Sequence, residues 1–161
     1  MLRFLSGLLL AGALAAPAHA QRVAVYKLAD LQRHLTRPTD TTYVVNFWAT
    51  WCGPCVQELP ALERVRTATA GRKVRFLYVS LDYRSQLEKK VLLFVQKRRL
   101  GAEVALLDEP DFNTWLASVD SRWSGSIPFT LVFNNKTHQR ISFEQPLTAA
   151  ELTAALQQFP L

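Results

Sequence analysis

Hydrophobic and polar positions along the chain follow two periods, one typical of helices and one typical of strands. Apolar residues spaced three and four apart predict amphipathic helices, whereas short runs of β-branched and aromatic residues predict buried strands. The first helix is predicted over residues 23–37, where Leu28, Leu31 and Leu35 would line one face. The first buried strand is predicted over residues 43–48.

The alternation of strands and helices continues to the end of the chain. The further predicted elements are a helix over 53–70, a strand over 73–81, a helix over 85–100, a strand over 103–107, a short helix over 111–119 capped by Asp111, a hairpin of strands over 129–133 and 139–143, and a last helix over 148–158 with a capping box of Thr148 and Glu151. Strands that alternate with helices imply a mostly parallel sheet with helices on both faces. The predicted fold class is therefore α/β.

Residues 1–20 have the composition of a secretory signal rather than of a folded domain. Arg3 precedes an apolar run over 8–16, and the stretch closes with the small-x-small sequence Ala18-His19-Ala20. We therefore expect a signal peptide at 1–20 and one exported, periplasmic domain at 21–161. The apolar run is shorter than the ~20 residues that a spanning helix usually needs. An uncleaved N-terminal membrane anchor is the alternative.

The overall composition changes this picture little. The chain is 49% hydrophobic and 20% charged, as globular proteins are, and its formal net charge is +6. Basic residues over 89–99 are interleaved with apolar ones at helical spacing, which is typical of a solvated helix face. No DNA- or RNA-binding motif accompanies them, so no nucleic-acid partner is predicted.

The only two cysteines of the chain, Cys52 and Cys55, lie three positions apart in the run Trp51-Cys52-Gly53-Pro54-Cys55. A bridge across so short a loop constrains the unfolded chain little, so a structural role explains it poorly. Structural zinc would need four ligands, and only His34 and His138 follow the leader. Haem attachment would need a histidine directly after the second cysteine, where this chain has none. These absences favour redox chemistry.

A thiol attacks a disulfide only as its thiolate, so a redox site must stabilise a negative sulfur and keep it accessible. Cys52 falls just before the predicted helix, where free backbone N–H groups and the helix dipole stabilise negative charge. Cys55 lies one turn further, within disulfide reach of Cys52, and should be less exposed. We predict Cys52 as the nucleophile and Cys55 as the resolving thiol, with no cofactor beyond their redox-active disulfide.

The run from Asn46 to Cys55, followed by Glu58-Leu59-Pro60, resembles the TlpA/ResA-like branch of exported thioredoxin-fold reductases. The resemblance implies a thioredoxin fold with a central mixed sheet. Ordinary thioredoxins carry a buried aspartate where this chain has Asn46, and in the TlpA/ResA-like branch a glutamate at the position of Glu58 replaces it in proton transfer. A spacing of three on a helix also puts Glu58 beside Cys55. A surface carboxylate favoured by the helix dipole is the alternative.

The resemblance extends to Ile127-Pro128, where this family has a cis proline packed against the disulfide. It implies that the bond before Pro128 is cis and that the backbone of Ile127 pairs with an extended substrate segment. Trp51 is predicted as an apolar contact surface beside the sulfurs, with a buried core role as the alternative. Trp123-Ser124-Gly125 is expected in the same rim.

The function implied is that of a periplasmic, monomeric dithiol reductase of protein disulfides, recharged by a membrane thiol donor. The Gly-Pro pair between the cysteines is typical of reducing thioredoxins, with potentials of about −270 mV, rather than of oxidants such as DsbA at about −120 mV. A disulfide oxidase or isomerase is one alternative. The other is a non-enzymatic metallochaperone that would bind Cu(I), a metal preferred by soft thiolates. No resident metal site is predicted.

Overall fold

A mixed sheet forms the centre of the protein. The computed structural model describes residues 22–160, and these contain the strands β1 (Val23–Tyr26), β2 (Thr42–Trp48), β3 (Val74–Ser80), β4 (Glu103–Leu107), β5 (Phe129–Asn134) and β6 (Gln139–Phe143). Their order in the sheet is β1-β4-β3-β2-β5-β6. The first four in this order are parallel neighbours, whereas β5 runs antiparallel to β2 and β6 antiparallel to β5. The predicted mixed, mostly parallel sheet is confirmed.

Helices cover both faces of the sheet, as predicted. They are α1 (Leu28–Thr36), α2 (Gly53–Ala68), α3 (Leu92–Arg98), α4 (Leu116–Val119) and α5 (Ala149–Leu156). The helices α2, α3 and α5 contribute to the core on one face, and α1 and α4 contribute to the core on the other. Each face of the sheet therefore has its own apolar core.

Strand β2 is buried along its whole length, and its side chains alternate between the two cores. Val44 and Trp48 belong to the core under α2, whereas Val45 and Phe47 belong to the core under α1. Successive side chains of a strand point to opposite faces, so Asn46 is directed to the side of α2. This alternation brings a polar side chain into the core next to the helix that carries both Cys55 and Glu58.

The prediction of a helix from residue 23 is wrong for its first turn. Residues Val23–Tyr26 form β1, which pairs in parallel with β4 from Val23 opposite Val104 onwards. Helix α1 begins only at Leu28. Valine in alternate positions suits a strand, but the partner strand lies far along the chain and the local pattern does not reveal it.

The segment predicted as one helix over 85–100 winds in three different ways. It starts with a 3₁₀ turn (Arg84–Gln86), continues with a π turn (Leu87–Val91) and only then becomes α3. The buried residues Leu87, Val91 and Val95 are spaced four apart and keep one face of the whole segment on the core. The helical period was therefore visible in the sequence, but the widened turn was not.

The helix predicted over 111–119 also divides. A 3₁₀ turn (Phe112–Thr114) precedes α4, which is only four residues long. Asp111 caps the 3₁₀ turn, because its side chain accepts a hydrogen bond from Asn113 N at 3.1 Å. The predicted cap is confirmed, and the predicted continuous helix is wrong.

The last helix begins as predicted, since Thr148 and Glu151 form a reciprocal capping box at the start of α5.

The predicted signal peptide at 1–20 lies outside the described residues, and the boundary of the domain at residue 21 stays a prediction. Within residues 22–160, no helix combines the length and the apolar composition needed to cross a bilayer.

Candidate active site

The two cysteines form a disulfide at the junction between β2 and α2. Cys52 is the N-cap residue of α2, and its Sγ accepts a hydrogen bond from Cys55 N at 3.3 Å. Pro54 lies in the first helical turn, where its missing N–H costs no intrahelical bond. The sulfur of Cys52 therefore takes the place of the usual capping oxygen, where the helix dipole favours negative charge.

Cys55 is the less exposed of the two cysteines, as the sequence predicted. Cys52 is 6% exposed, whereas Cys55 is completely buried. Cys52 Sγ lies 3.8 Å from the carbonyl oxygen of Ile127, and the Ile127–Pro128 peptide bond is cis, as expected. Trp51 is 64% exposed, so the alternative of a buried core role for this residue is wrong. Cys52 is thus nearly buried, with the exposed Trp51 next to it in the chain and the carbonyl group of Ile127 beside its sulfur.

Glu58 is buried one turn after Cys55, so the alternative of a surface carboxylate is wrong. Only 4% of the residue is exposed. Glu58 Oε1 accepts a hydrogen bond from Asn46 Nδ2 at 2.7 Å, and Glu58 Oε2 accepts one from Leu147 N at 2.7 Å. Both carboxyl oxygens are therefore held by neutral N–H donors.

The side chain of Asn46 links Glu58 to β5. Asn46 Nδ2 also donates to Thr130 Oγ1 at 2.9 Å, and Asn46 is paired with Thr130 in the β2–β5 register. Asn46 Oδ1 is buried and has no hydrogen-bond partner among the described residues. A rotation of the amide by about 180° would present this acceptor to a protonated Glu58, because an amide can donate or accept at nearly the same place.

Burial raises the pKa of Glu58 from 4.5 to about 7, while the hydrogen bonds from Leu147 N and Asn46 oppose the rise. The carboxyl group therefore changes its charge near neutral pH. Sequence analysis singled out Glu58 and Asn46 but missed Thr130 and Leu147. Thr130 left a signal, since it is a polar residue inside the apolar strand β5, whereas the contact of Leu147 uses only its backbone.

Two side chains hold the loops around the disulfide. Asp82, which is buried after β3, accepts hydrogen bonds from Thr50 N at 2.9 Å and from Thr50 Oγ1 at 2.5 Å. Glu144 accepts from Ser126 N at 3.0 Å and from Ser124 N at 3.1 Å. The first contact fixes the chain before Cys52, and the second fixes the loop before Ile127. Neither carboxylate was singled out from the sequence.

The expected place of Trp123 in the rim is wrong. Trp123 is buried and stacks on Phe129, with ring centroids 4.2 Å apart, and it also contacts Phe47 at 4.7 Å. Its Nε1 donates to Ser126 O at 2.8 Å. The indole therefore supports the 124–126 loop from the core.

Comparisons with known proteins agree with the observed fold. The thioredoxin family model matches residues 22–93, which include the disulfide and both of its flanking elements. The protein has a thioredoxin fold. This thioredoxin-fold protein is 44% identical over 52 residues to a thioredoxin of Malassezia sympodialis, covering 32% of this chain and 50% of that protein. It spans about half the length of the curated relatives that it matches first.

Two longer matches belong to bacterial proteins. The sporulation thiol-disulfide oxidoreductase A of Bacillus subtilis is 24% identical over 109 residues, which are 68% of this thioredoxin-fold protein and 62% of the relative. The crystal structure of a secreted Mycobacterium tuberculosis disulfide oxidoreductase homologous to E. coli DsbE superposes with a TM-score of 0.58 at 21% identity. That match covers 87% of this chain and 97% of the other, and it shows the fold.

The arrangement can support attack by one thiol and resolution by a second. It offers a sulfur at a helix N-terminus, a buried partner sulfur bonded to it, and a carboxyl group that titrates near neutral pH. Among the described residues, no group of three or more histidine, cysteine, aspartate or glutamate side chains is arranged to hold a metal ion.

Proposed function

We propose that this protein is a thiol-disulfide oxidoreductase of the TlpA/ResA-like kind that works outside the cytoplasm as a dithiol reductase of protein disulfides. The observation that carries the proposal is the asymmetry of the Cys52–Cys55 pair. Cys52 Sγ caps α2 and the residue keeps 6% of its surface exposed, whereas Cys55 lies inside the helix and is completely buried. A helix N-terminus favours the thiolate, and exposure decides which sulfur meets a substrate.

The reaction transfers two electrons from the protein to its substrate. The thiolate of reduced Cys52 attacks one sulfur of a substrate disulfide, the substrate S–S bond breaks, and the first substrate thiolate leaves and takes up a proton. Cys55 then loses its proton and attacks Cys52 Sγ, which breaks the mixed disulfide and releases the second substrate thiolate. The protein ends with its Cys52–Cys55 disulfide, and the substrate ends with two thiols.

Glu58 is the proposed acceptor for the proton of Cys55. It lies three positions further along α2, a spacing that puts two side chains on the same side of a helix. A general base is most effective when its pKa lies near the working pH, and burial raises the pKa of Glu58 to about 7. Asn46 serves both states of this carboxyl group, because its Nδ2 donates to the carboxylate and its unpartnered Oδ1 can accept from the acid.

The oxidised protein needs a dithiol donor before it can act again, and a membrane thiol reductase is the proposed source. The leader-like composition of residues 1–20 supports export, and the secreted disulfide oxidoreductase from Mycobacterium tuberculosis shares the fold. Cys52 Sγ lies 3.8 Å from the carbonyl oxygen of Ile127, which supports pairing of the 127–128 backbone with an extended substrate strand.

The direction of electron flow is tested by the redox potential of the Cys52–Cys55 couple. The protein is equilibrated with mixtures of reduced and oxidised dithiothreitol, free thiols are alkylated, and the two forms are counted by mass spectrometry. A reductase should have a potential close to about −270 mV, and a value close to about −120 mV would contradict the proposed direction and indicate an oxidase. A separate Cu(I) titration of reduced, unalkylated protein from which dithiothreitol has been removed tests the metallochaperone, whose tight binding would have to be lost when either cysteine is replaced.

A further inference from the structure

Two large apolar side chains that are exposed to solvent in the same surface depression often mark a binding site. Within the described residues, the large hydrophobic side chains that are exposed are Val25, Trp51, Tyr83 and Leu93. Trp51 is 64% exposed and Tyr83 is 74% exposed, and both line one cleft of about 570 Å³. The other two lie outside it.

The rest of the cleft wall has an apolar part and a charged part. The apolar residues are Leu81, Leu107, Pro110 and Phe112, and the charged residues are Asp82, Arg84, Asp108 and Glu109. The cleft lies where β3 and β4 end, at the carboxyl edge of the parallel strands, which is also where β2 leads into the disulfide. Ligands of open α/β sheets bind outside this edge.

The carboxylates of the cleft are already occupied by donors of this chain. Asp82 accepts from Thr50, Asp108 Oδ2 accepts from Lys27 Nζ at 2.9 Å, and Glu109 Oε1 accepts from Leu28 N at 3.0 Å. A bound segment would therefore meet the rings of Trp51 and Tyr83, aliphatic carbon and the guanidinium of Arg84. It would gain most by burying a large apolar side chain, and an aromatic one could also contact the Arg84 cation.

The cleft is held in a fixed position relative to the nucleophile. Leu81 N donates to Trp48 O at 2.8 Å, and Asp82 Oδ2 accepts from Thr50 N at 2.9 Å. These bonds tie the loop that carries Tyr83 to the loop that carries Trp51. Trp51 directly precedes Cys52 in the chain, so a substrate segment that contacts Trp51 in the cleft would lie close to the disulfide that Cys52 attacks.

We propose that this Trp51–Tyr83 cleft selects substrates, and that it takes a tryptophan or other large apolar side chain lying within a few residues of the substrate cysteine. The inference rests on the proposed disulfide exchange and adds the class of substrate to it. Tyr83 is then a specificity-determining residue, because its exposed ring lines the cleft together with Trp51, the residue directly before the nucleophile.

The test compares peptide disulfides that differ in one side chain. Each peptide has one cysteine joined to glutathione, and tryptophan or serine is placed at one of the three positions on either side of that cysteine. The second-order rate of reduction by the reduced protein is measured by acid quench and chromatography. At one or more positions, the tryptophan peptide should react about tenfold faster than its serine partner, as expected for one additional aromatic contact.

Variants separate the cleft from the sulfur chemistry. Tyr83→Ser should bring the rate ratio of tryptophan to serine peptides close to one, while Tyr83→Phe should keep it because the ring is retained. Leu93→Ser is the matched control, since Leu93 is also an exposed apolar residue but lies outside the cleft, and it should leave the ratio unchanged. Reduction of bis(2-hydroxyethyl) disulfide, which is too small to reach the cleft, should be the same in all four proteins.

The outcomes distinguish the two levels of the proposal. If the wild-type protein does not reduce bis(2-hydroxyethyl) disulfide, the proposed function fails. If it does so but treats tryptophan and serine peptides alike, or if Tyr83→Ser keeps the preference, the cleft proposal alone is overturned. Sedimentation velocity tests whether a second copy of the chain occupies the cleft instead. A dimer that dissociates on substitution Tyr83→Ser would assign the cleft to self-association and would also overturn the proposal.

Discussion

The stability of the oxidised protein should fall as the pH rises through neutrality, because folding buries Glu58. Burial raises the pKa of this carboxyl group from 4.5 to about 7. The folded protein therefore holds a proton that the unfolded chain releases, and stability is lost between pH 4.5 and about pH 7 and is then constant. The difference between these two pKa values corresponds to about 3 kcal/mol of unfolding free energy.

Substitution of Glu58 by glutamine should remove this loss. Free energies of unfolding are measured by urea denaturation from pH 4.5 to pH 8 with the disulfide intact. Over this range, the unfolding free energy of Glu58→Gln should fall by about 3 kcal/mol less than that of the wild type. At low pH the variant should be about as stable as the wild type, because the neutral amide, like the protonated acid, can accept from Leu147 N and donate to Asn46 Oδ1 once the Asn46 amide has rotated.

Glu151→Gln is the control, since Glu151 is an exposed glutamate in the capping box of α5, away from the disulfide. Hydrogen bonds from Thr148 lower the pKa of Glu151 in the folded protein. The stability that Glu151 contributes is therefore lost only at acid pH and is constant above about pH 5.5, where the curve of Glu151→Gln should run parallel to that of the wild type. Parallel curves for Glu58→Gln and the wild type would refute the reasoning, because they would mean that Glu58 does not titrate near neutrality in the folded protein.

Two further substitutions test the surroundings of the site. Asn46→Asp would place a second carboxyl group against Glu58, and because neighbouring negative charges oppose each other the pKa of Glu58 should rise above about 7. Carbon-13 NMR of the glutamate carboxyl groups measures this pKa. An unchanged titration midpoint would mean that the two groups do not interact. Leu62→Ala should lower the free energy of unfolding by about 2–5 kcal/mol because Leu62 is completely buried, whereas Leu93→Ala at an exposed position should change it by less than about 0.5 kcal/mol. Equal effects in urea denaturation would contradict the described core.

Local sequence patterns identified the elements that are defined by their own residues. The β-branched and aromatic run of β2, the proline in the first turn of α2 and the Thr148–Glu151 capping box are all readable within a few positions. Strand β1 could not be found in this way, because its conformation depends on pairing with Val104 and the rest of β4. The π turn before α3 has the same helical spacing as an ordinary turn and leaves no separate signal.

The site shows the same limit. The two sulfurs and Glu58 could be predicted because the spacing along α2 fixes their relative positions. The backbone donor at Leu147 could not, because it approaches Glu58 from a distant part of the chain. Trp51 and Trp123 are the same residue type, yet one is exposed beside Cys52 and the other is packed between aromatic rings. Only tertiary neighbours distinguish them.

The central claim is that Cys52 attacks the substrate and Cys55 releases it. Trapping of mixed disulfides tests this most directly, with Cys55→Ser and Cys52→Ser compared side by side under thiol-sensitive electrophoresis and mass spectrometry. The account predicts that Cys55→Ser accumulates covalent complexes with protein partners through Cys52, and that Cys52→Ser traps few, because Cys55 is completely buried. Equal trapping by the two variants would contradict the division of roles, and the absence of trapped partners in both would contradict disulfide exchange itself.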